Sequence, residues 1–188
     1  MSGLLATTSD KYGYPILTQT ANPYRNECSP KYPGTKCFSS GDLRVNQHPV
    51  LMTLHVVFVR RHNQHALALK KVNPSWNDEK LFQEARRILI AEFQLITYKE
   101  YLPIVFGPTL MDYFNLNIRY SGHTVYEPYT DPTSWNDYAT AACRFGHSQI
   151  QGWFGIYGKM PNQYHGRGYW LRDKFFDPSD IYEGWVST

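Results

Sequence analysis

From Pro49 onward, apolar side chains return at helical spacing. Leu51, Leu54, Val57, Phe58, Arg61 and His65 fall on or near one stripe, and Met52, Val56, Val59, Ala66 and Leu69 widen the apolar surface nearly all round. Such a helix is expected to be largely buried. Pro49 stands where a first-turn proline is tolerated, and Asn73-Pro74 ends the run because proline disfavours helical geometry in the residue before it, which gives a helix over 49–72. A second helix is predicted over 77–101. Ser75 or Asn77 caps it, Asp78 and Glu79 complement the dipole in its first turn, and Leu81, Ala85, Ile88, Leu89, Phe93 and Ile96 repeat at three and four until Leu102-Pro103 closes it. A third, over 132–150, is capped by Asp131 or Thr133 and carries Trp135, Tyr138, Ala142, Phe145, His147 and Ile150.

Between these runs the period disappears. Residues 10–41 are rich in Pro, Gly, Asn, Ser and Tyr and read as a long loop. Residues 103–132 contain four prolines and two glycines and read as a second loop, with one short helical turn around 109–114. Beyond Gly152 no clear period remains, and the chain stops at Trp185-Val-Ser-Thr188 without a C-cap signal, as a cut chain would. The pattern predicts an all-α, mainly helical domain with long irregular loops and little or no sheet.

Composition narrows the class. Hydrophobic residues are 42% of 188, enough for one domain with a real core. A formal charge of +3, spread evenly, is too small for a nucleic-acid footprint. The aromatic share of 16% suits a wide pocket or a large ordinary core. No run approaches the roughly 18 apolar residues needed to cross a bilayer. The start, Met1 to Thr8, has only Leu4, Leu5 and Ala6 as an apolar stretch and no basic region, so it is not read as a signal peptide. Cys28 and Cys37 bracket two prolines and a glycine and could close a short disulfide loop or stand as two free thiols. Cys143, near Ala141, Ala142 and Phe145, reads as a small buried hydrophobe.

None of the seven histidines belongs to an HExxH or comparable ligand spacing, so a zinc site is not expected. His55 and His62 share a helix face and read as hydrogen-bonded core histidines. His65, His123 and His165 have polar or loop neighbours and read as surface residues. His147 differs: it lies late in an apolar helix, after Arg144 and beside the small Gly146. A haem iron needs a neutral imidazole on a rigid element, small neighbours let the flat macrocycle approach, and a guanidinium can bind a propionate, yet on residue chemistry alone a lone helical histidine is more often structural than a ligand.

The stretch Cys37-Phe-Ser-Ser-Gly-Asp-Leu-Arg-Val-Asn-Gln-His-Pro-Val-Leu, followed by Leu54-His55 and Arg60-Arg-His62-Asn63, resembles the central signature of the animal haem peroxidases. Asn73-Pro74-Ser-Trp76, Glu84-Ala-Arg-Arg-Ile, Ile96-Thr-Tyr-Lys-Glu-Tyr-Leu-Pro103 and Arg144-Phe-Gly-His147 are similar to further family blocks, in the same order and at compatible spacings. The opening Gly3-Leu-Leu-Ala-Thr resembles the segment upstream of the family's cysteine loop, so the similarity covers nearly the whole chain and thins after Phe154.

The resemblance implies a haem b cofactor, with His147 as axial iron ligand, Arg144 on a haem propionate, and Arg44 as the distal arginine that polarises bound hydrogen peroxide. It also implies a Cys28–Cys37 disulfide. Gln47 and His48 stand where some members carry a glutamate esterified to haem and a methionine joined through sulfur, so covalent attachment is not expected from this side. The family's distal histidine, its second esterified carboxylate and its calcium loop precede the point matching Met1, and the asparagine that holds the proximal imidazole follows the point matching Thr188. The chain therefore reads as one partial domain, 1–188, an internal fragment of a secreted peroxidase. Its partners would be hydrogen peroxide and a small reducing substrate: a halide, a phenol or tyrosine. Arg44 stays protonated and cannot accept the peroxide proton; His48 and His55 are the substitutes available within the chain. Two other functions fit the same residues, a non-catalytic haem-binding scaffold and a helical adaptor without cofactor.

Overall fold

A computed structural model of the chain describes residues 2–20, 28–32, 34–157 and 164–179. The first helix, α1 (Pro49–Val72), begins and ends where its punctuation dictates. Pro49 occupies the first turn behind an extended His48, the Asn73 amide bonds back to Leu69 O at 2.8 Å, and Lys70 and Lys71 sit in the last turn where cations oppose the dipole. Only one stripe of it is buried: Met52, Val56, His62 and Ala66 face inward, while Leu54, Val57 and Leu67 are exposed.

Among the described residues, the segment before α1 contains four short strands, too short to display alternation. β1 (Thr7–Ser9) pairs antiparallel with β2 (Pro15–Leu17), Thr7 opposite Leu17. Asp10 closes the turn by accepting the amides of Tyr12 and Tyr14 at 2.9 and 2.8 Å. β3 (Gln19–Thr20) pairs with β4 (Cys37–Phe38). Ile16 and Leu17 from β2, Phe38 from β4, Val45 from the following turn, and Met52 and Val56 from α1 form one core cluster, with Val59 packed against it.

The N-terminal segment is pinned to the helices by the Arg60-Arg61-His62-Asn63 motif. Asn63 accepts from the Leu5 amide at 2.8 Å and donates to the Leu5 carbonyl at 3.0 Å, so its carboxamide pairs both main-chain groups. The buried His62 donates from Nε2 to Gly3 O at 2.9 Å and lies 5.1 Å from the Phe82 ring. His55 donates from Nδ1 to Leu51 O at 2.8 Å. Both are the structural histidines their positions suggested.

The second helix, α2 (Asp78–Ile96), starts as expected, with Asn77 Oδ1 accepting the Lys80 amide at 2.9 Å. It does not end at Leu102-Pro103. The ladder widens into a π turn over Thr97–Tyr101 and resumes as α3 (Leu102–Tyr113). Pro103 lacks the amide that would bond back one turn, and a single wide turn absorbs that loss without stopping the helix. The break comes at Gly107, whose φ of 72° only glycine adopts readily, followed by Pro108. The predicted third helix is split: α4 (Asn136–Thr140) ends at a non-helical Ala141, and a 3₁₀ helix runs over Ala142–Gln149. After Gly152, where no period was legible, β5 (Trp153–Tyr157) pairs antiparallel with β6 (Tyr164–Trp170). Gly168 lies so close to Phe154 O and the Trp153 ring that a Cβ there would fall 2.4 Å from each. Helices carry the fold, and among the described residues the sheet consists of three two-stranded pairs.

The chain divides into two compact units. One comprises residues 1–93 and 153–188, the other 94–152. In the second unit Met111 is the only buried residue among those described, and Ile104, Tyr120 and Trp135 are strongly exposed. Cys143, expected inside, is exposed there as well, because the 3₁₀ turn carrying it has no buried face.

His65, read as a surface residue, is largely buried between helices. Its Nε2 bonds to Glu92 Oε2 at 3.0 Å, and Arg61 Nε reaches the same oxygen at 3.0 Å. Hydrogen bonds from Arg61 and then His65 hold the Glu92 carboxyl down to about 2, against an ordinary value near 4.5. A carboxyl whose folded value is depressed stabilises the fold above its unfolded value, and loses that contribution as pH falls toward the folded one. Glu92→Gln is therefore expected to lower Tm by a few degrees at pH 6, about 1 kcal/mol after solvent screening, and the gap from the unaltered chain should close between pH 4.5 and 2. Thermal melts across that range, followed by circular dichroism, read it; a gap that stays constant to pH 2 would count against the ion pair.

Candidate haem-binding and peroxide-site residues

Arg44 lies in the first unit, in the turn between β4 and α1. Val45 N–H bonds to Asp42 O at 3.3 Å and Gln47 N–H to Arg44 O at 2.9 Å, so the turn is closed twice. Asp42 Oδ1 accepts the Arg44 amide at 2.9 Å and its Nε at 3.2 Å, and the second carboxylate oxygen takes a terminal guanidinium nitrogen at 3.4 Å. The Arg44 amide first, and its guanidinium second, hold the Asp42 carboxyl below the usual range, so the pair is ionised. The guanidinium itself is exposed, with 63% of the side chain accessible.

Two residues fix this turn that its own pattern did not single out. Asn46, fully buried, accepts the Phe38 amide at 3.0 Å and donates to the Phe38 carbonyl at 2.9 Å, gripping β4 next to Cys37. Phe176 donates its amide to Gln47 O at 3.0 Å. The signal for Asn46 was its place in the Asp-Leu-Arg-Val-Asn run, where a buried carboxamide two residues past the arginine demands a paired partner. Nothing near Phe176 pointed to Gln47, which lies far away in sequence.

Cys28 and Cys37 are joined by a disulfide, with their Cα atoms 5.9 Å apart. His48 caps α1 with a partly buried ring, and desolvation pushes its pKa below the ordinary value, so it is neutral near pH 7. Its Nδ1 is buried and has no partner among the described residues.

Arg144 and His147 lie in the second unit, on the 3₁₀ helix and not on the long α-helix expected for them. The change of helix type has a consequence. At three residues per turn, positions i and i+3 eclipse, so Arg144 and His147 share one face. The His147 ring is exposed, and its Nδ1 lies 3.1 Å from Arg144 O. A carbonyl can only accept, so Nδ1 carries the proton and Nε2 keeps the lone pair a metal takes. Gly146 leaves open space: a Cβ built there would meet no atom within 4 Å. Arg144 donates from Nε to Ala139 O at 3.2 Å, and the residue is exposed. Beside them Trp135, Asp137, Tyr138, Ala141, Ala142 and Phe145 line a shallow, open, largely apolar hollow. An exposed imidazole with Nδ1 tied to a carbonyl, an arginine three residues before it and open space at Gly146 would fit a haem held through Nε2, with the arginine toward a carboxylate side group.

The model of the animal haem peroxidases matches residues 1–188, the whole chain. The chain belongs to the animal haem peroxidase family. It is 45% identical to a chorion peroxidase of Drosophila melanogaster over 157 residues, 83% of this chain and 18% of that protein. It is 42% identical to a myeloperoxidase of Mus musculus over 132 residues, 70% of this chain and 17% of that one. The chain thus spans under a fifth of the length of these curated relatives. Peroxidase A from Dictyostelium discoideum superposes with a TM-score of 0.73 at 24% identity, covering 97% of this chain and 33% of the other, so the two share a helical fold. Membership implies a haem cofactor. Among the described residues no three His, Cys, Asp or Glu side chains gather as a metal site, and no helix is long and apolar enough to cross a membrane.

Proposed function

We propose that this chain is part of one haem-peroxidase domain, that His147 is the axial iron ligand, and that Arg144 pairs with a haem propionate. What supports this reading is the 3₁₀ helix on which Arg144 and the exposed His147 stand three positions apart, with His147 Nδ1 tied to a carbonyl and Nε2 left for a metal. Bound haem supplies the redox chemistry by which hydrogen peroxide is reduced and a donor oxidised. The chain's own part is to hold and to polarise. His147 supplies Nε2, its ring oriented by the bond of the other nitrogen to Arg144 O. Arg144 anchors a carboxylate. Arg44 offers a permanent positive charge and several N–H donors toward negative charge developing on a departing peroxide oxygen.

The reducing partner is a small halide, phenol or tyrosine donor, consistent with the family. The protein acts outside the cell: a disulfide persists in oxidising compartments, and Cys28–Cys37 is one. Covalent haem attachment through residues 47 and 48 does not occur, since Gln47 has no free carboxylate and His48 no thioether. The calcium site belongs to a part of the peroxidase beyond this chain.

The test is turnover after loading with haem. Guaiacol or iodide oxidation is expected above that of free haem, and Arg44→Gln should lower the rate per bound haem about a hundredfold, as loss of one preorganised donor does. Rates equal to free haem, together with an intact haem spectrum, would favour a non-catalytic haem-binding scaffold instead. That second reading draws on one observation: the Arg44 guanidinium is engaged by Asp42, and a guanidinium cannot take up a proton.

A further inference from the structure

Phe176 is an aromatic residue held at a φ of 59°, in the left-handed region that non-glycine residues rarely adopt. Such a conformation persists where surrounding structure over-determines it. Here both main-chain groups of one residue are bonded to two distant segments. The Phe176 amide donates to Gln47 O at 3.0 Å, and the Phe176 carbonyl accepts from Ser29 N–H at 2.7 Å. Ser29 follows Cys28 of the disulfide, and Gln47 closes the Arg44 turn through its own amide on Arg44 O.

The residues after Phe176 secure it. Asp177 and Ser179 are buried, and Asp177 Oδ1 accepts the amides of Lys31 at 3.4 Å and Ser179 at 3.2 Å. Lys174 Nζ stands 3.7 Å from Asp177 Oδ2, and Lys31 Nζ donates to Asp173 O. The segment is thus fixed to the cystine loop on one side and reaches across to the Arg44 turn on the other. Asn46 grips that turn from β4, and Phe176 is its second point of attachment.

We propose that Phe176 is a positioning residue for Arg44, acting through its left-handed backbone, which ties the cystine loop to Gln47. The proposal rests on the reading of Arg44 as the peroxide-polarising residue. Its test compares substitutions that remove the same ring but differ in tolerance of positive φ. Phe176→Asn suits that conformation, Phe176→Ala less, and Phe176→Val least. Amide hydrogen exchange of Ser29, Val45 and Gln47 is expected to quicken about tenfold in Phe176→Val, to a smaller degree in Phe176→Ala, and to stay within about twofold in Phe176→Asn, while α1 amides keep their protection. In the haem-loaded chain, Phe176→Val should lower the peroxide rate per haem about tenfold in the unaltered background, and add nothing beyond Arg44→Gln.

Equal exchange in the Asn and Val variants overturns the proposal, as does loosening that extends through α1. If Phe176→Val does not fold, the Asn–Ala comparison decides in the same way. Should the exchange pattern hold while Arg44→Gln leaves turnover untouched, the backbone tie is supported and the catalytic reading of Arg44 falls. Should Arg44→Gln slow turnover while Phe176→Val changes neither exchange nor rate, the tie falls and Arg44 stands.

Discussion

Replacing His147 by alanine is expected to abolish axial ligation of bound haem and to weaken haem binding by at least about a hundredfold, since even loss of an outer partner of a metal ligand costs 10–100-fold. The expectation follows from which ring nitrogens are committed and which rings are exposed, since the half-buried His55 ties Nδ1 to a carbonyl just as His147 does. His62 spends Nε2 on Gly3 O and is buried, His55 spends Nδ1 on Leu51 O, and His65 spends Nε2 on Glu92. His147 spends Nδ1 on the carbonyl three residues back and keeps Nε2 on an exposed face. A haem titration followed through the Soret band reads the affinity, and added imidazole should restore the ligated spectrum in His147→Ala. His55→Ala should leave the spectrum unchanged. An unaltered spectrum in His147→Ala, or equal losses in both variants, would remove His147 from the iron.

Legibility along the chain follows how local the determining interaction is. α1 was readable to the residue, because Pro49 and Asn73-Pro74 act on their own neighbours. The start of α2 was readable for the same reason, through Asn77. The end of α2 was not, because a proline can be absorbed by a π turn and Pro103 alone does not say which outcome wins. Apolar spacing from Trp135 to Ile150 fits one helix, and the break at Ala141 leaves no mark in that pattern. The short strands escaped because two or three residues cannot display a period of two. His65 escaped because its partner, Glu92, lies on another helix.

The candidate site divides in the same way. Arg44, Arg144, His147 and the cysteine pair stood out once ordered blocks were compared with a family. Their chemistry alone would have ranked them low. What holds Arg44 in place is non-local: Asn46 on Phe38 and Phe176 on Gln47 are matched across space, so no motif carries both halves. Arg144 and His147, three apart, share a face in either helix type, and the 3₁₀ turn that carries them, where periodicity placed an α-helix, brings them closer to eclipsed.

The largest effect on stability is expected at Gly3. Its φ is 68°, and a Cβ there would lie 2.5 Å from the Phe82 amide nitrogen and 2.7 Å from Leu81, closer than real Cβ atoms come. The obstacle is helix backbone, which cannot swing aside as a flexible side chain could. The same glycine donates its amide to Asp78 at 2.9 Å and accepts from the buried His62 ring at 2.9 Å, so any shift that relieves the clash strips both bonds. Left-handed strain of about 1–2 kcal/mol, overpacking of about 1–3 and an unsatisfied buried histidine of about 1–3 give an expected loss of at least about 3 kcal/mol for Gly3→Ala. Gly13 supplies the control: its φ is 85°, and open space surrounds the position of a Cβ. Gly13→Ala should therefore cost only the strain, about 1–2 kcal/mol. Urea unfolding of the two variants measures the difference directly. If Gly3→Ala loses no more than Gly13→Ala, the N-terminal segment is not seated against α2, and the tie between the opening Gly-Leu-Leu and the His62-Asn63 pair would have to be abandoned.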